Sequence, residues 1–126
     1  MQGSHGTFHW NELMTRNVAG AKKFYADTLG WNYDAMPMPG GGTYWLAKMG
    51  EDSVAGIFDI TGPEYNSVAE AWMPYIAVDD VDARVKKAEK AGAKLMKPIF
   101  EVPGVGRIAI LIEPGGAGVG WMTPAS

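Results

Sequence analysis

The chain contains no cysteine, which excludes a disulfide framework, a thiolate nucleophile and a cysteine-based metal site. Histidine is almost as scarce, with His5 and His9 the two present. His5 falls in the opening stretch MQGSHG (residues 1–6), which reads as start and cloning residues outside the fold, so His9 is the one useful imidazole. A two-histidine, one-carboxylate metal triad cannot be built from one histidine. A serine triad fares no better, because no serine stands in a nucleophile-elbow context. Long apolar runs are missing too. None approaches the ~18 residues of a membrane span, and no signal-peptide pattern opens the chain. Nor is there an excess of basic charge: 11 lysines and arginines stand against 14 acidic residues, without clustering, which argues against nucleic acid as a partner. The expectation is therefore a soluble cytoplasmic protein with neither nucleic acid nor membrane as its partner.

Other residues are plentiful. Seventeen glycines and eight prolines spread along the chain fit short strands joined by tight turns. Five tryptophans and eight methionines are more than a core of this size usually needs. They fit either an irregular core filled by adaptable methionine or a cavity lined by aromatic and thioether surface.

From Thr7 to Thr15 the pattern TFHWNELMT alternates, with Phe8, Trp10, Glu12 and Met14 on one face and His9 on the other. Asn17 caps a helix with apolar positions Val18, Ala21, Tyr25 and Leu29, and Gly30 stops it. Strand-like runs follow at 31–36, 43–49 and 53–60, separated by PMPGGG and GED. The second half repeats this order. A strand at 73–78 leads to a helix capped by Asp79 or Asp80 and ended at Gly92, then to runs at 94–102, 107–112 and 119–123. The halves are in register: Val18 and Val81 are 63 residues apart, and the Lys-Lys pairs at 22–23 and 86–87 are 64 apart. One β-α-β-β-β unit leaves a sheet face bare, and two units can cover each other. The expected fold is thus a single α+β domain at 7–126. It consists of two βαβββ repeats (about 7–60 and 72–123, linker 61–71) with mixed sheets around a central cavity, each sheet backed by a helix.

The phrases FHWNELMT, AKKFYADTLGW, PYIAVDDVDA, KAGAKL and VPGVGRIAILIEPGGAG resemble the vicinal-oxygen-chelate superfamily, which comprises glyoxalase, bleomycin-resistance and dioxygenase proteins. The likeness runs from about Phe8 to Met122. The resemblance implies metal ligands on the first and last strands of each repeat. In this chain those positions fall on Trp10, Met73 and Gly120, with the fourth within Ala55–Phe58. Indole, thioether and glycine cannot replace hard nitrogen and oxygen donors, so neither a metal nor any other cofactor is expected.

Glu12 is the candidate catalytic residue. A carboxylate on an apolar face is desolvated, which raises its proton affinity and suits it to acid/base work. The structural alternative is that Glu12 is satisfied by an arginine, with Arg107 and Arg16 as candidates, or by hydrogen bonds from a loop. Trp10, Met14, Trp45, Met73, Tyr75 and Met122 are the candidate ligand-binding residues. Trp45 is the least determined, because TYWLAKM is apolar on both faces. GGG at 40–42 is a hairpin turn rather than a phosphate loop, and Asp79, Asp80 and Asp82 are better explained as helix-capping residues than as a calcium site. The leading functional expectation is metal-independent binding of a small hydrophobic or aromatic molecule, for resistance or sequestration. The alternatives are a lyase, isomerase or dioxygenase-like enzyme using Glu12, and a structural or regulatory module. A homodimer is expected.

Overall fold

A computed structural model describes residues 4–38 and 40–125. The N-terminal residues 1–3 of the expected tag, and one proline of the PMPGGG turn, lie outside the described residues. The chain divides into two compact units, one spanning Trp10–Trp72 and the other Met73–Ser126 together with the described part of Met1–His9.

In the first unit, strand β1 (Phe8–Thr15) is followed by helix α1 (Val18–Leu29) and strands β2 (Asn32–Pro37), β3 (Thr43–Met49) and β4 (Asp52–Asp59). The sheet order is β2-β3-β4-β1, antiparallel except for the parallel pair β4/β1. The Asn17 side chain accepts the Gly20 N–H at 2.9 Å, relieving an otherwise unpaired first-turn donor. Gly30 ends α1 in the left-handed conformation (φ 81°), which only glycine adopts without strain. Ala47, Ala55, Ile57 and Ile60 are buried. Removing a side chain such as Ile57 from water contributes about 2–3 kcal/mol.

In the second unit, β5 (Ala71–Ala77) leads to α2 (Val81–Lys90), then β6 (Lys94–Leu95), β7 (Phe100–Val102), β8 (Gly106–Ile112) and β9 (Gly118–Pro124). Its sheet runs β5-β9-β8-β6, with β7 also paired to β8. Asp80 caps α2 by accepting the Ala83 N–H, and Val81 and Val85 turn inward onto Val78, Ala109, Leu111 and Val119. The first half follows the order β-α-β-β-β, and the second follows it too once the short strands β6 and β7 are taken together as one divided strand of the repeat.

Two expectations differ in detail. The single strand predicted at 94–102 is two short strands, because Pro98 has no N–H for the ladder and pairing lapses after Met96. The opening stretch is also more engaged than a tag would be. Gly6 donates its N–H to Ala77 O, Thr7 accepts from Ala77 N, and His5 Nδ1 accepts the Asp79 N–H at 3.0 Å.

Candidate functional site

The site begins with parity along β3 (Thr43–Met49), where Tyr44 and Trp45 point to opposite faces. The Tyr44 hydroxyl accepts a hydrogen bond from Trp10 Nε1 at 3.0 Å and donates one to Glu12 Oε1 at 2.9 Å. Trp10 and Glu12 are two apart on β1, so their alternation places both side chains on the face that Tyr44 reaches. The ring of Tyr44 lies over Gly56, the parallel-register partner of Glu12, where any Cβ would collide with the phenol. Burial, and secondarily the charge of Glu12, holds the Tyr44 hydroxyl well above the ordinary phenol range. Tyr44 therefore stays protonated at physiological pH, and its proton is directed at the Glu12 carboxylate.

Tyr44 is a partner of Glu12, and both candidate arginines make hydrogen bonds to other groups. Arg16 donates to the Tyr65 and Val68 carbonyls at 2.9 and 2.6 Å, while Arg107 makes a bidentate pair with Asp82 at 2.7 and 3.0 Å. Neither reach was decidable from spacing, since both depend on where the 61–71 segment and α2 come to rest. The three aspartates near α2 have structural roles: Asp79 pairs with Arg84, Asp80 caps, and Asp82 holds Arg107.

On the opposite face of β3, Trp45 carries the Lys22 ammonium 3.1 Å from its ring centroid. Trp45 thus shares neither face nor partners with Trp10. Instead it lines a cleft of about 420 Å³ at the end of this sheet, along with Met38, Phe58, Asp59, Glu64 and Tyr65. Phe58 and Tyr65 meet edge to face at 5.5 Å. The 61–71 segment forms one wall because it is pinned. Thr61 N–H bonds Asp59 Oδ1 at 2.8 Å, Arg16 holds two of its carbonyls, and Thr15 donates to Glu70 at 2.8 Å. Burial first, then the charges of Glu64 and Glu12, push the Tyr65 hydroxyl up.

Met14 is half-buried and in register with Phe58, which places it on the Trp10–Glu12 face beside the cleft. The remaining candidates stand in the second unit. Tyr75 is buried, in register with Gly120, and its ring covers that glycine as Tyr44 covers Gly56. Met122 is buried against Gly106, and the Met73 thioether lies near Gly118. A second, apolar cleft of about 180 Å³ beside Leu111, Pro114 and Trp121 is below the ~300 Å³ that small-molecule sites usually need.

Sequence reasoning missed Phe58, Tyr65, Asp59 and Glu64 as a group, and Tyr44 as a partner of Glu12. One signal was available. Gly56 and Gly120 are 64 residues apart, the step of the Lys-Lys pairs, and a glycine inside a strand marks a close approach by another group.

The profile of the "Glyoxalase/Bleomycin resistance protein/Dioxygenase superfamily" matches residues 7–120. The chain belongs to this superfamily. A Mycobacterium tuberculosis member named "Putative glyoxylase CFP32" is 40% identical over 116 residues, covering 91% of this chain and 44% of that protein. The anthracycline biosynthesis protein DnrV of Streptomyces peucetius is 29% identical over 119 residues, covering 86% of this chain and 43% of its own. The chain thus spans under half the length of these two relatives. Among solved structures, a variant of Streptomyces coelicolor methylmalonyl-CoA epimerase superposes with a TM-score of 0.69 at 15% identity, covering 98% of this chain and 100% of that one. At that identity the likeness is one of fold.

Superfamily enzymes imply a divalent metal, and the residues present do not fit one. The expected ligand positions hold Trp10, Met73, Gly120 and the AGIF segment. Gly56 and Gly120 cannot be replaced by a donor side chain while Tyr44 and Tyr75 cover them. Among the described residues no group of three or more histidine, aspartate or glutamate side chains is placed to hold a metal ion.

Proposed function

We propose that this superfamily member binds a small hydrophobic or aromatic molecule without a metal, in the cleft of its first unit. The observation that carries this reading is the cleft itself. Its volume of about 420 Å³ lies in the range of small-molecule sites, and Trp45, Phe58 and Tyr65 supply its rings. Trp10 and Met14, on the neighbouring face of the same unit, are candidates to extend it. Met73, Tyr75 and Met122 are the second unit's candidate contacts. The test is titration with 1-methylnaphthalene followed by NMR of the five tryptophan indole N–H signals. Saturable shifts that include the Trp45 indole, and that are lost in Trp45→Ala, support the reading. Absence of saturable binding would end it.

A second reading is favoured by a separate observation, the Trp10–Tyr44–Glu12 hydrogen-bond chain. A carboxylate oriented by a tyrosine hydroxyl is suited to accept a proton from a substrate carbon or hydroxyl, which is lyase or isomerase chemistry. In such an enzyme Glu12 is the base and Tyr44 orients it. Glu12→Gln separates the readings, because turnover collapses in an enzyme whereas ligand binding at the cleft survives.

We also read the protein as a homodimer. Phe24 and Trp72 are 57% and 39% exposed at the rim of an aromatic cluster, and large exposed apolar patches mark interaction surfaces.

A further inference from the structure

We infer that residues 61–70 form a movable wall of the cleft, a strap latched by Arg16 that opens as a unit to pass the ligand. The gating role rests on the binding reading above, whereas the motion of the strap does not. Gly62, Glu64 and Tyr65 of this segment line the cleft. Its backbone bonds run within the segment: Tyr65 N–H to Gly62 O at 3.0 Å, Asn66 N–H to Pro63 O at 3.2 Å and Val68 N–H to Tyr65 O at 2.8 Å. They keep its shape without tying it to the sheet. Every residue from 61 to 70 is exposed or half-buried. A segment with so little buried apolar surface opens at lower cost than the strands beside it.

Both ends of the strap are fixed. Before it, the buried Ile60 donates its N–H to Thr15 O at 3.0 Å. After it, the Trp72 indole N–H bonds the Tyr25 hydroxyl at 3.2 Å. Between these anchors the middle is held from outside by the Tyr65 ring on Phe58 and by one guanidinium, Arg16 Nη2 donating to the Tyr65 and Val68 carbonyls at 2.9 and 2.6 Å. Arg16 is itself exposed, so its release leaves carbonyls that water can satisfy rather than a buried unpaired group. The Tyr65 ring rides on the strap, and opening therefore removes one aromatic wall and widens the entrance.

The experiment compares the intact chain with Arg16→Ala, which removes the latch, and Arg16→Lys, which keeps the charge but loses the planar fork. Amide hydrogen exchange is followed by NMR. In Arg16→Ala the Tyr65, Asn66 and Val68 amides should exchange together and about tenfold faster, as expected from losing charged hydrogen bonds at an exposed site. Arg16→Lys should give a smaller rise, and unaltered α1 and β4 amides report that the unit is folded. 1-Methylnaphthalene is then titrated, and its rates are read from the line shape of the Trp45 indole N–H. A gate governs passage both ways, so association and dissociation should each quicken about tenfold in Arg16→Ala with little change in affinity. A fixed wall that only touches the ligand would raise the dissociation rate alone. Exchange unchanged in both variants overturns the strap, and faster exchange with an unchanged association rate overturns the gate; either result leaves the binding reading standing. If 1-methylnaphthalene does not bind the parent, the gate falls together with that reading.

Discussion

Tyr44 lies on Gly56 so closely that the strand can carry no side chain there, and this contact sets the reach of the Tyr44 hydroxyl to Glu12. A methyl group at residue 56 must push the phenol away. Gly56→Ala is therefore expected to destabilise the first unit by about 1–3 kcal/mol, the usual cost of overpacking. Combining it with Tyr44→Ala should give a total well below the sum of the two single costs, because the clash disappears with the ring. Denaturant unfolding of the four proteins measures this, and strict additivity would show that the two residues do not compete for the same space. Gly120→Ala should behave likewise with Tyr75→Ala.

Alkaline stability provides a second prediction. Burial, then the Glu12 charge, raises the folded-state proton affinity of the Tyr44 hydroxyl above that of free tyrosine. Its contribution to stability is therefore complete below about pH 10 and is lost as pH rises beyond that, where the unfolded chain ionises first. A group that releases its proton only on unfolding makes stability fall by about 1.4 kcal/mol per pH unit in that window. Tyr44→Phe should make the decline above pH 10 shallower by about this amount. Tyr33 and Tyr65, also raised by burial, leave a residual slope. At neutral pH the same variant should cost about 1–3 kcal/mol, since it strips the Trp10 N–H of its acceptor and Glu12 of a donor. An unaltered alkaline slope would mean that Tyr44 is not the titrating group.

These contacts show which kinds of fact the sequence made legible. Helix limits were readable because Asn17, Gly30 and Asp80 each act within a few residues of their own position, and the repeat was readable because it recurs at a fixed step. The outer strands were read to within two residues for the same reason, since alternation is local. The split of residues 94–102 was not anticipated, although Pro98 was in view, because the alternating pattern on either side outweighed one missing donor. The site was less legible. Which of Tyr44 and Trp45 faces Glu12 depends on the register of β3 against β4, a long-range pairing that no local spacing encodes. The cleft depends on the 61–71 segment being pinned by Arg16 and Thr15, residues that the sequence offered only as a candidate partner for Glu12 and as a strand end.

Acid stability tests the second unit. The Arg107 guanidinium beside Asp82, and that of Arg84 beside Asp79, hold both carboxyls below the usual range. Depressed carboxylates contribute stability that is present above their unfolded value near 3.8 and is lost as pH falls through the folded-state value. Asp82→Asn combined with Asp79→Asn should lower stability at neutral pH and flatten the loss of stability below pH 4. The pairs are exposed, so both effects should weaken in 1 M salt. Hydrogen–deuterium exchange of α2 and β8 with pH would locate the change, and a pH profile identical to the parent's would assign the acid sensitivity to other carboxylates.

The exposed aromatic cluster carries the last prediction. Tyr25 stacks on Trp31 at 4.8 Å, meets Trp72 edge-on at 5.8 Å, and accepts the Trp72 indole N–H at 3.2 Å. Phe24 joins its rim, with ring centroids 4.9 Å from Tyr25. A cluster held this firmly yet left partly in water is organised for contact, and the helix bearing it has no fully buried residue. On the homodimer reading, the occupant of this surface is a second copy of the chain. Light scattering at micromolar concentration should give twice the chain mass of 13.6 kDa. Phe24→Asp should reduce that to a single chain, by placing a charge where an apolar surface would have to be desolvated, while leaving the Tyr25–Trp31 stack and the thermal melt of the monomer intact. A monomeric parent would remove the dimer reading at once. A dimeric Phe24→Asp protein would move the interface to another face.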